Sequence, residues 1–251
     1  MAHIITQVYE IQSPFEAEML IGLGVDHIGS VIVSEEKWRV PSVKQTFEIV
    51  GESVSKSSLI PLFSNLESIS RVLEYYRPDI LHFCEAVNRS DSCENFFETQ
   101  RNIKERFPEI KIMRSLPIPP REKTATCLAL ELARVFEPVS DYFLTDTLIS
   151  KGSGSSPCDQ PVEGFVGITG QTCDWDVARR LVESCRIPVI LAGGISPENV
   201  FNGILSVKPA GIDSCTLTNV ADHAGRPVRF KKDPLKVKRL IEAVRRAEKV
   251  I

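Results

Sequence analysis

Short apolar segments alternate with longer amphipathic segments along almost the whole chain. The short segments are typical of buried strands, and the longer ones repeat apolar residues at the three- and four-residue spacing of helices. The predicted strands are Ile4–Tyr9, Asp26–Ile32, Leu59–Phe63, Ile80–Cys84, Lys111–Leu116, Tyr142–Thr145, Pro188–Ala192 and Gly211–Cys215. The predicted helices are Pro14–Leu23, Ser42–Val50, Leu66–Tyr76, Cys93–Phe107, Thr124–Phe136, Asp174–Cys185, Pro197–Leu205 and Pro234–Val250.

The pattern amounts to eight strand–helix units, each of about 30 residues, which is the size of a βα unit. Eight such units fit the 251 residues of the chain, because a (β/α)₈ barrel typically takes about 250 residues. The rival architecture is an open doubly wound sheet. A first strand at residue 4 and a last helix at the end of the chain favour the barrel. Since no linker-like change in composition interrupts the units, we predict an α/β protein whose residues 1–251 form a single (β/α)₈ TIM barrel.

Composition excludes several classes of partner. Lys and Arg total 30 against 33 for Asp and Glu, which argues against a protein that coats nucleic acid. No apolar run approaches the roughly 18 residues that span a membrane, and the amino terminus lacks the pattern of a signal peptide. The 7 cysteines are scattered and form no CxxC pair, which favours reduced thiols in a cytoplasmic protein. We expect no nucleic-acid or membrane partner, no metal and no cofactor.

The barrel prediction locates the candidate chemistry in advance, because active sites of such barrels lie at the carboxyl ends of the strands. Residues there include acids, bases and cations that could act on a substrate or contact it. The candidates at these positions are Gln7 and Tyr9, Arg39, His82 and Cys84, Arg114, Asp146, Gly193 and Gly194, and the segment Asp213–Thr218.

The most specific of these segments is Ile190–Val200, ILAGGISPENV, in which an apolar strand runs directly into Gly193 and Gly194. Glycines there allow backbone N–H groups to approach an anion, and Ser196 is expected to cap the helix that follows. Phosphate sites of these barrels commonly use the loops after strands 7 and 8. Thr216 and Thr218 in the second loop offer hydroxyls, so the sequence predicts a phosphate site. The alternative is a turn required only for packing.

Several segments resemble the phosphoribosylanthranilate isomerase family of tryptophan biosynthesis. The resemblance extends over nearly the whole chain and is most specific in about the last 90 residues. It is carried by LAGGISPENV (Leu191–Val200), GID (Gly211–Asp213), KDP (Lys232–Pro234), GITGQTCDW (Gly167–Trp175) and GVDHIG (Gly24–Gly29).

The resemblance implies an enzyme that rearranges a small phosphorylated aminoaldose into an aminoketose with one general acid and one general base. Asp146 matches the acid at the end of strand 6. Arg39 resembles the arginine that holds the carboxylate of anthranilate, and Asp213 resembles the strand-8 aspartate that faces the substrate. Assembly into a homodimer is left open.

The base of the family is absent. The family's Lys-Ile-Cys-Gly corresponds to Gln7-Val8-Tyr9-Glu10, and a tyrosine with an ordinary pKa of about 10 is a poor base. Cys84 is the alternative base if His82 or Arg114 lowers the pKa of its thiol. His82 and Arg114 are otherwise expected to contact the substrate.

Three functions stay open on these residues. The first is a phosphoribosylanthranilate isomerase-like enzyme whose activity is weak or altered. The second is a barrel enzyme that acts on a different phosphorylated substrate, and the third is a phospho-ligand-binding protein without catalysis. The strand-8 turn must also differ from that of the family, because Leu217 stands where the family has a residue able to adopt a positive φ.

Overall fold

The eight predicted strands form one closed parallel barrel in the computed structural model, which describes residues 3–87, 92–122, 127–148 and 165–251. Each strand pairs with the next, and the first pairs with the eighth, which closes the ring. The (β/α)₈ prediction is therefore confirmed. The strands are β1 (Ile5–Val8), β2 (His27–Ile32), β3 (Lys56–Pro61), β4 (Ile80–Phe83), β5 (Lys111–Ile118), β6 (Tyr142–Thr147), β7 (Val189–Leu191) and β8 (Gly211–Ser214).

A helix follows each strand, and local capping sets where several of them begin. Asn65 accepts a hydrogen bond from the backbone N–H of Ser68, and Asp174 and Asp233 cap later helices in the same way. The helices are α1 (Pro14–Gly22), α2 (Pro41–Gly51), α3 (Leu66–Tyr76), α4 (Ser92–Arg106), α5 (Ala129–Phe136), α6 (Trp175–Ser184), α7 (Val200–Val207) and α8 (Pro234–Ala247).

Two helices begin later than predicted. Helix α7 begins at Val200 instead of Pro197, because the side chain of Asn199 ties the preceding residues into a turn. Its carboxamide accepts from the backbone N–H of Ser196 at 2.9 Å and donates to the carbonyl of Gly194 at 2.7 Å. Helix α5 begins at Ala129, and the predicted start at Thr124 lies outside the described residues.

The segment between β8 and α8, expected to be a loop, contains an antiparallel hairpin of β9 (Asn219–Ala221) and β10 (Pro227–Lys232). An ion pair between the buried Glu10 and the half-buried Arg229 ties this hairpin to the end of β1. The Lys232 ammonium donates to the side chain of Asn219 at 2.5 Å and to the carbonyl of Cys215 at 2.8 Å.

Alternation along the strands decides which side chains face the barrel interior. Ile80, Met113, Leu144 and Ile190 from β4 to β7 form one buried apolar cluster inside the barrel. Because successive residues of a strand point to opposite faces, His82 shares the inward face with Ile80, whereas residues beside Met113 point toward the helices. None of the described helices is both long enough and apolar enough to cross a membrane.

Candidate active site at the barrel mouth

A cavity lies at the carboxyl ends of the strands, at the position the barrel architecture predicts. The ends of β1 to β4 and of β6 to β8 contribute to its lining, together with the segment that follows residue 164. The predicted site residues that line it are Tyr9, His82, Cys84, Asp146, Gly193, Gly194, Asp213 and Thr216.

Tyr9, which follows β1, lines this cavity. Its ring lies over Gly29, where an added Cβ would come within 2.1 Å of the ring. The hydroxyl is bonded to Ser58 Oγ at 2.5 Å and to Nδ1 of His82 at 2.8 Å. Burial raises the pKa of Tyr9 well above its ordinary value. Tyr9 is therefore a neutral phenol near neutral pH, hydrogen-bonded to Ser58 and His82.

His82 is a buried neutral imidazole. Burial, followed by the charge of Arg114, lowers the pKa of its ring to about 3. Its Nε2 is bonded to Ser115 Oγ at 2.8 Å, so both ring nitrogens have protein partners. His82 lines the cavity as predicted, but it offers a substrate neither a positive charge nor a free ring nitrogen.

Cys84 lies on the same inward face of β4 as His82 and lines the cavity. Burial raises the pKa of its thiol well above the ordinary value, and the charges of Glu85 and Asp146 act in the same direction. Arg114 opposes this effect and does not overcome it. The thiol is therefore protonated near neutral pH, which leaves the expected relocated base without its thiolate.

Arg114 does not line the cavity. It alternates with Met113 and Ser115 on β5, so its side chain points outward, under the helices. Its guanidinium pairs with Glu85 at 2.6 Å and donates to Gln100 Oε1 on α4 at 3.0 Å. The expected contact between Arg114 and a substrate is replaced by a fully buried ion pair.

Arg39 and Thr218 also lie outside the cavity lining. Arg39 is exposed, and its guanidinium lies 4.7 Å from the centre of the Trp38 ring. Thr218 is buried, and its hydroxyl donates to the carbonyl of Cys215 at 2.9 Å. Local contacts therefore occupy both side chains that were expected to bind carboxylate and phosphate.

Two carboxyl groups face the cavity from β6 and β8. Asp146 accepts from the backbone N–H of Thr147 at 2.8 Å, and its other oxygen lies where a Cβ on Gly167 would be 2.6 Å away. Burial raises the pKa of Asp146 to about 7. Burial raises the pKa of Asp213 to about 7, and the charge of Asp146 acts in the same direction. A hydrogen bond from Gln7 lowers this pKa but does not offset the increase. The pair can therefore hold one proton and one negative charge near neutral pH.

The loop after β7 brings its backbone unusually close to its neighbours. Gly193 and Gly194 adopt φ values of 85° and 59°, which side chains rarely allow. A Cβ on Gly194 would lie 2.5 Å from the backbone carbon of Gln171. Across the cavity mouth, Thr216 begins a short 3₁₀ helix, Thr216–Thr218, in which Leu217 avoids a positive φ.

Sequence reasoning missed two strained positions in this region. Glu10 and Ile168 adopt φ values of 68° and 63°, although neither is a glycine. Glu10 corresponds to the glycine of the family's Lys-Ile-Cys-Gly segment, and that substitution was the available signal. No group of three or more described His, Cys, Asp or Glu side chains is arranged to hold a metal ion.

The sequence is similar to curated isomerases. A family model described as N-(5'-phosphoribosyl)anthranilate isomerase matches residues 118–216. An N-(5'-phosphoribosyl)anthranilate isomerase of Methanosarcina acetivorans is 28% identical over 244 residues, covering 94% of this chain and 90% of the relative. One of Methanothrix thermoacetophila is 25% identical, covering 94% of this chain and 95% of the relative.

Solved structures share the fold. A phosphoribosyl anthranilate isomerase from Thermotoga maritima superposes with a TM-score of 0.68 at 19% identity, covering 97% of this chain and 99% of its own. Another, described as a complex with reduced 1-(o-carboxyphenylamino)-1-deoxyribulose 5-phosphate, has a TM-score of 0.66 at 19% identity with the same coverage of both chains. A third, described as monomers of a dimeric isomerase from Thermotoga maritima, has a TM-score of 0.65 at 18% identity, again covering 97% and 99%.

Proposed function

Because this chain is a divergent member of the phosphoribosylanthranilate isomerase family, we propose that it is an aldose–ketose isomerase acting on a small phosphorylated aminosugar at the barrel mouth. One observation carries the proposal. Asp146 and Asp213, each with a pKa raised to about 7, share one cavity with Gly193 and Gly194, which line it. An acid–base isomerisation needs such a pair beside an anchor for the phosphate.

The phosphate binds between the loops after β7 and β8. The backbone around Gly193 and Gly194 supplies N–H donors, and Thr216 supplies a hydroxyl. The Lys232 ammonium is bonded to the carbonyl of Cys215, in the loop after β8. Its positive charge favours an anion at the β7 and β8 side of the cavity. One solved structure of similar fold holds a ligand described as a 5-phosphate, which supports a phosphorylated substrate.

Protonated Asp146 starts the reaction by donating its proton to the ring oxygen of the sugar. The C1–O bond breaks, and the nitrogen lone pair forms a protonated Schiff base. Ionised Asp213 then takes the proton from C2. The electron pair of that C–H bond forms the C1–C2 double bond of an enolamine, and the π electrons of the C1–N double bond move to the nitrogen. Return of a proton from Asp213 to C1, with loss of the enol proton to Asp146, yields the aminoketose and restores both carboxyl groups.

In this assignment Asp213 takes the place of the family's cysteine base. Tyr9 and Cys84, expected as catalytic groups, contribute as neutral lining, because burial raises the pKa of both. Asp213 is the better base, since its pKa is close to neutral and its Oδ1 has no hydrogen-bond partner among the described residues. We expect weak activity on the family's own substrate, because the replacement base differs in position and chemistry.

The test compares Asp146→Asn and Asp213→Asn with the wild-type enzyme and with Asp176→Asn, a control on the exposed face of α6. Turnover is measured with phosphoribosylanthranilate and with its aniline counterpart, together with exchange of the C2 proton with solvent. Each cavity variant is expected to lose about 10²–10⁴-fold in kcat, the usual contribution of one acid or base.

Two outcomes contradict the proposal. Turnover within a few-fold of wild type in both cavity variants removes the carboxyl pair from the mechanism. Tight binding of a phosphorylated product analogue without turnover or proton exchange assigns the chain to the non-catalytic ligand-binding alternative. Growth of a tryptophan auxotroph that lacks the isomerase, at rates typical of the family, contradicts the expectation of weak activity.

Two further properties belong to this proposal. The described cysteines all have free thiols, which supports a cytoplasmic location. A homodimer is supported by the structural neighbour that is described as dimeric, and light scattering of the purified protein tests it.

A further inference from the structure

We propose that the amine substituent of the substrate is an uncharged apolar or aromatic group, without the carboxylate of anthranilate. This inference rests on the proposed isomerase function and specifies the class of substrate for the same cavity. The geometry that supports it is a division of the cavity into a polar side at β7 and β8 and an apolar side opposite.

The order of the strands sets this division. In a ring of eight strands, β7 and β8 lie across the barrel from β3 and β4. A ligand whose phosphate lies at the glycine loop therefore extends its other end toward β3 and β4. We call the surface it meets there the apolar wall, which consists of Val31, Ile60, Leu62, Phe165 and Val166.

The apolar wall is continuous. Val31, Ile60, Leu62 and Val166 belong to one buried hydrophobic cluster, with Phe165 packed against it. The backbone N–H of Val166 donates to the carbonyl of Cys84 at 2.9 Å, which fixes this segment against the end of β4. A flat apolar group can bury its faces on such a surface.

The charges around the cavity favour a neutral group. Among the described lining residues the ionisable groups include Glu10, Asp146 and Asp213, and no lysine or arginine side chain belongs to this set. An anion placed against the apolar wall would lose water without gaining a contact with a lysine or arginine of the described lining.

Four described cations outside the lining are held by other contacts. Arg39 is exposed beside Trp38, and Arg114 is paired with Glu85 beneath the helices. Lys232 and Arg229 lie on the hairpin side, bonded to Asn219 and Glu10. The phosphate end of a ligand is therefore favoured by charge, whereas a carboxylate at the opposite end is disfavoured.

The experiment compares two product analogues by calorimetry at pH 7.5. The first is reduced 1-(o-carboxyphenylamino)-1-deoxyribulose 5-phosphate, and the second is the same compound without the carboxylate. We expect the neutral analogue to bind at least 10-fold more tightly, because a buried carboxylate without a partner is strongly disfavoured. Equal binding, or tighter binding of the carboxylated analogue, overturns the inference.

Two variants sharpen the comparison. Leu62→Arg adds a cation at the apolar wall and should narrow or reverse the preference, whereas Leu62→Met, the uncharged control, should keep it. Retention of the wild-type preference in folded Leu62→Arg overturns the inference. Arg39→Ala should leave the affinity for both analogues unchanged, and a selective loss of affinity for the carboxylated analogue also overturns it.

The design separates this inference from the proposed function. If neither analogue binds, the proposed phosphosugar site itself is overturned. If both bind and the carboxylated one is preferred, the site stands and only the inferred substrate class is rejected. Turnover of the aniline counterpart in preference to phosphoribosylanthranilate supports both.

Discussion

Burial disfavours the charged form of several side chains around the barrel mouth. Asp146 and Asp213 titrate near neutrality instead of near pH 4, and His82 stays neutral because its pKa is lowered to about 3. The Cys84 thiol and the Tyr9 phenol keep their protons, because burial raises the pKa of each. In all five cases the low-dielectric surroundings disfavour the charged form. Of these five groups, the two carboxyl groups are the ones that can exchange a proton near neutral pH.

The carboxyl pair predicts a bell-shaped dependence of kcat/KM on pH with a maximum near neutrality. Below this range both groups are protonated and no base is present, and above it both are ionised and no acid is present. Asp213→Asn should abolish the fall in kcat/KM on the acidic side of the profile, and Asp146→Asn should abolish the fall on the alkaline side. A profile that is flat across both pKa values, measured with stable protein, would show that the pair does not control turnover.

His82 predicts a loss of stability in mild acid. Its folded-state pKa of about 3 lies below the unfolded value of about 6.5. The unfolded chain therefore binds the proton first, and the free energy of unfolding falls as pH is lowered from about 6.5 toward 3. His82→Gln should show a smaller loss between pH 7 and pH 5 in urea denaturation.

His223→Gln, at an exposed position, is the matched control and should follow the wild-type curve. The raised pKa values of Asp146 and Asp213 act in the opposite direction, stabilising the fold as pH falls below about 7. Both aspartates are present in the wild type and in the two variants. The difference in pH-dependent stability between the proteins therefore reports the contribution of His82 alone. Identical pH dependence in His82→Gln and the wild type would contradict the assignment.

At the scale of elements, a buried polar contact joins β4 and β5 to the outer helices. The Arg114 guanidinium on β5 pairs with Glu85 after β4 and contacts Gln100 on α4. It also lies 4.6 Å from the centre of the Phe136 ring on α5 and 5.1 Å from that of Phe83 on β4. The Arg114 side chain therefore contacts α4, α5 and the end of β4, which carries His82 and precedes Cys84.

Breaking this ion pair should be costly, because one charge is left buried without its partner. Glu85→Leu is expected to lower the free energy of unfolding by about 3–5 kcal/mol. The double variant Glu85→Leu/Arg114→Met should recover much of that loss, since both charges are then removed. Urea denaturation of the two single variants and the double variant completes the cycle. Additive losses would show that the two side chains are not coupled.

At the scale of the whole molecule, closure of the ring brings together segments from both ends of the chain. The Asp26 carboxylate accepts from the backbone N–H of Thr6 at 2.8 Å and pairs with Arg245 of α8 at 3.3 Å. Register between β1 and β8 then sets Gln7 beside Asp213. The carboxyl pair and the glycine loop share a cavity only because this closure is complete.

A ligand that binds only the closed barrel should stabilise it. Inorganic phosphate is expected to raise the thermal midpoint in proportion to the logarithm of its concentration above Kd. Thr216→Val should weaken this stabilisation, because Thr216 lines the cavity. Thr218→Val is the matched control, because Thr218 is not among the lining residues and its hydroxyl is bonded to the backbone carbonyls of Ser214 and Cys215. Equal responses of the two variants to phosphate would contradict the predicted phosphate site.

Local pattern by itself determined the barrel, the order of its strands and helices, and the edge where the cavity lies. These follow from the two-residue and 3.6-residue periods and from glycines and caps that act within a few residues. The positions of Gly193, Gly194, Asp146 and Asp213 at strand ends could therefore be predicted from the sequence.

Only the tertiary structure decided which side chains meet and in what state of charge. In the folded chain Arg114 points toward the helices, Arg39 lies outside the cavity, and α7 begins later than the sequence pattern predicts. The tertiary structure also left the Cys84 thiol protonated and brought Asp146 and Asp213 to near-neutral pKa values. The physical reason is that inward or outward direction, burial and electrostatic neighbours depend on residues far apart in the chain, which no local period specifies.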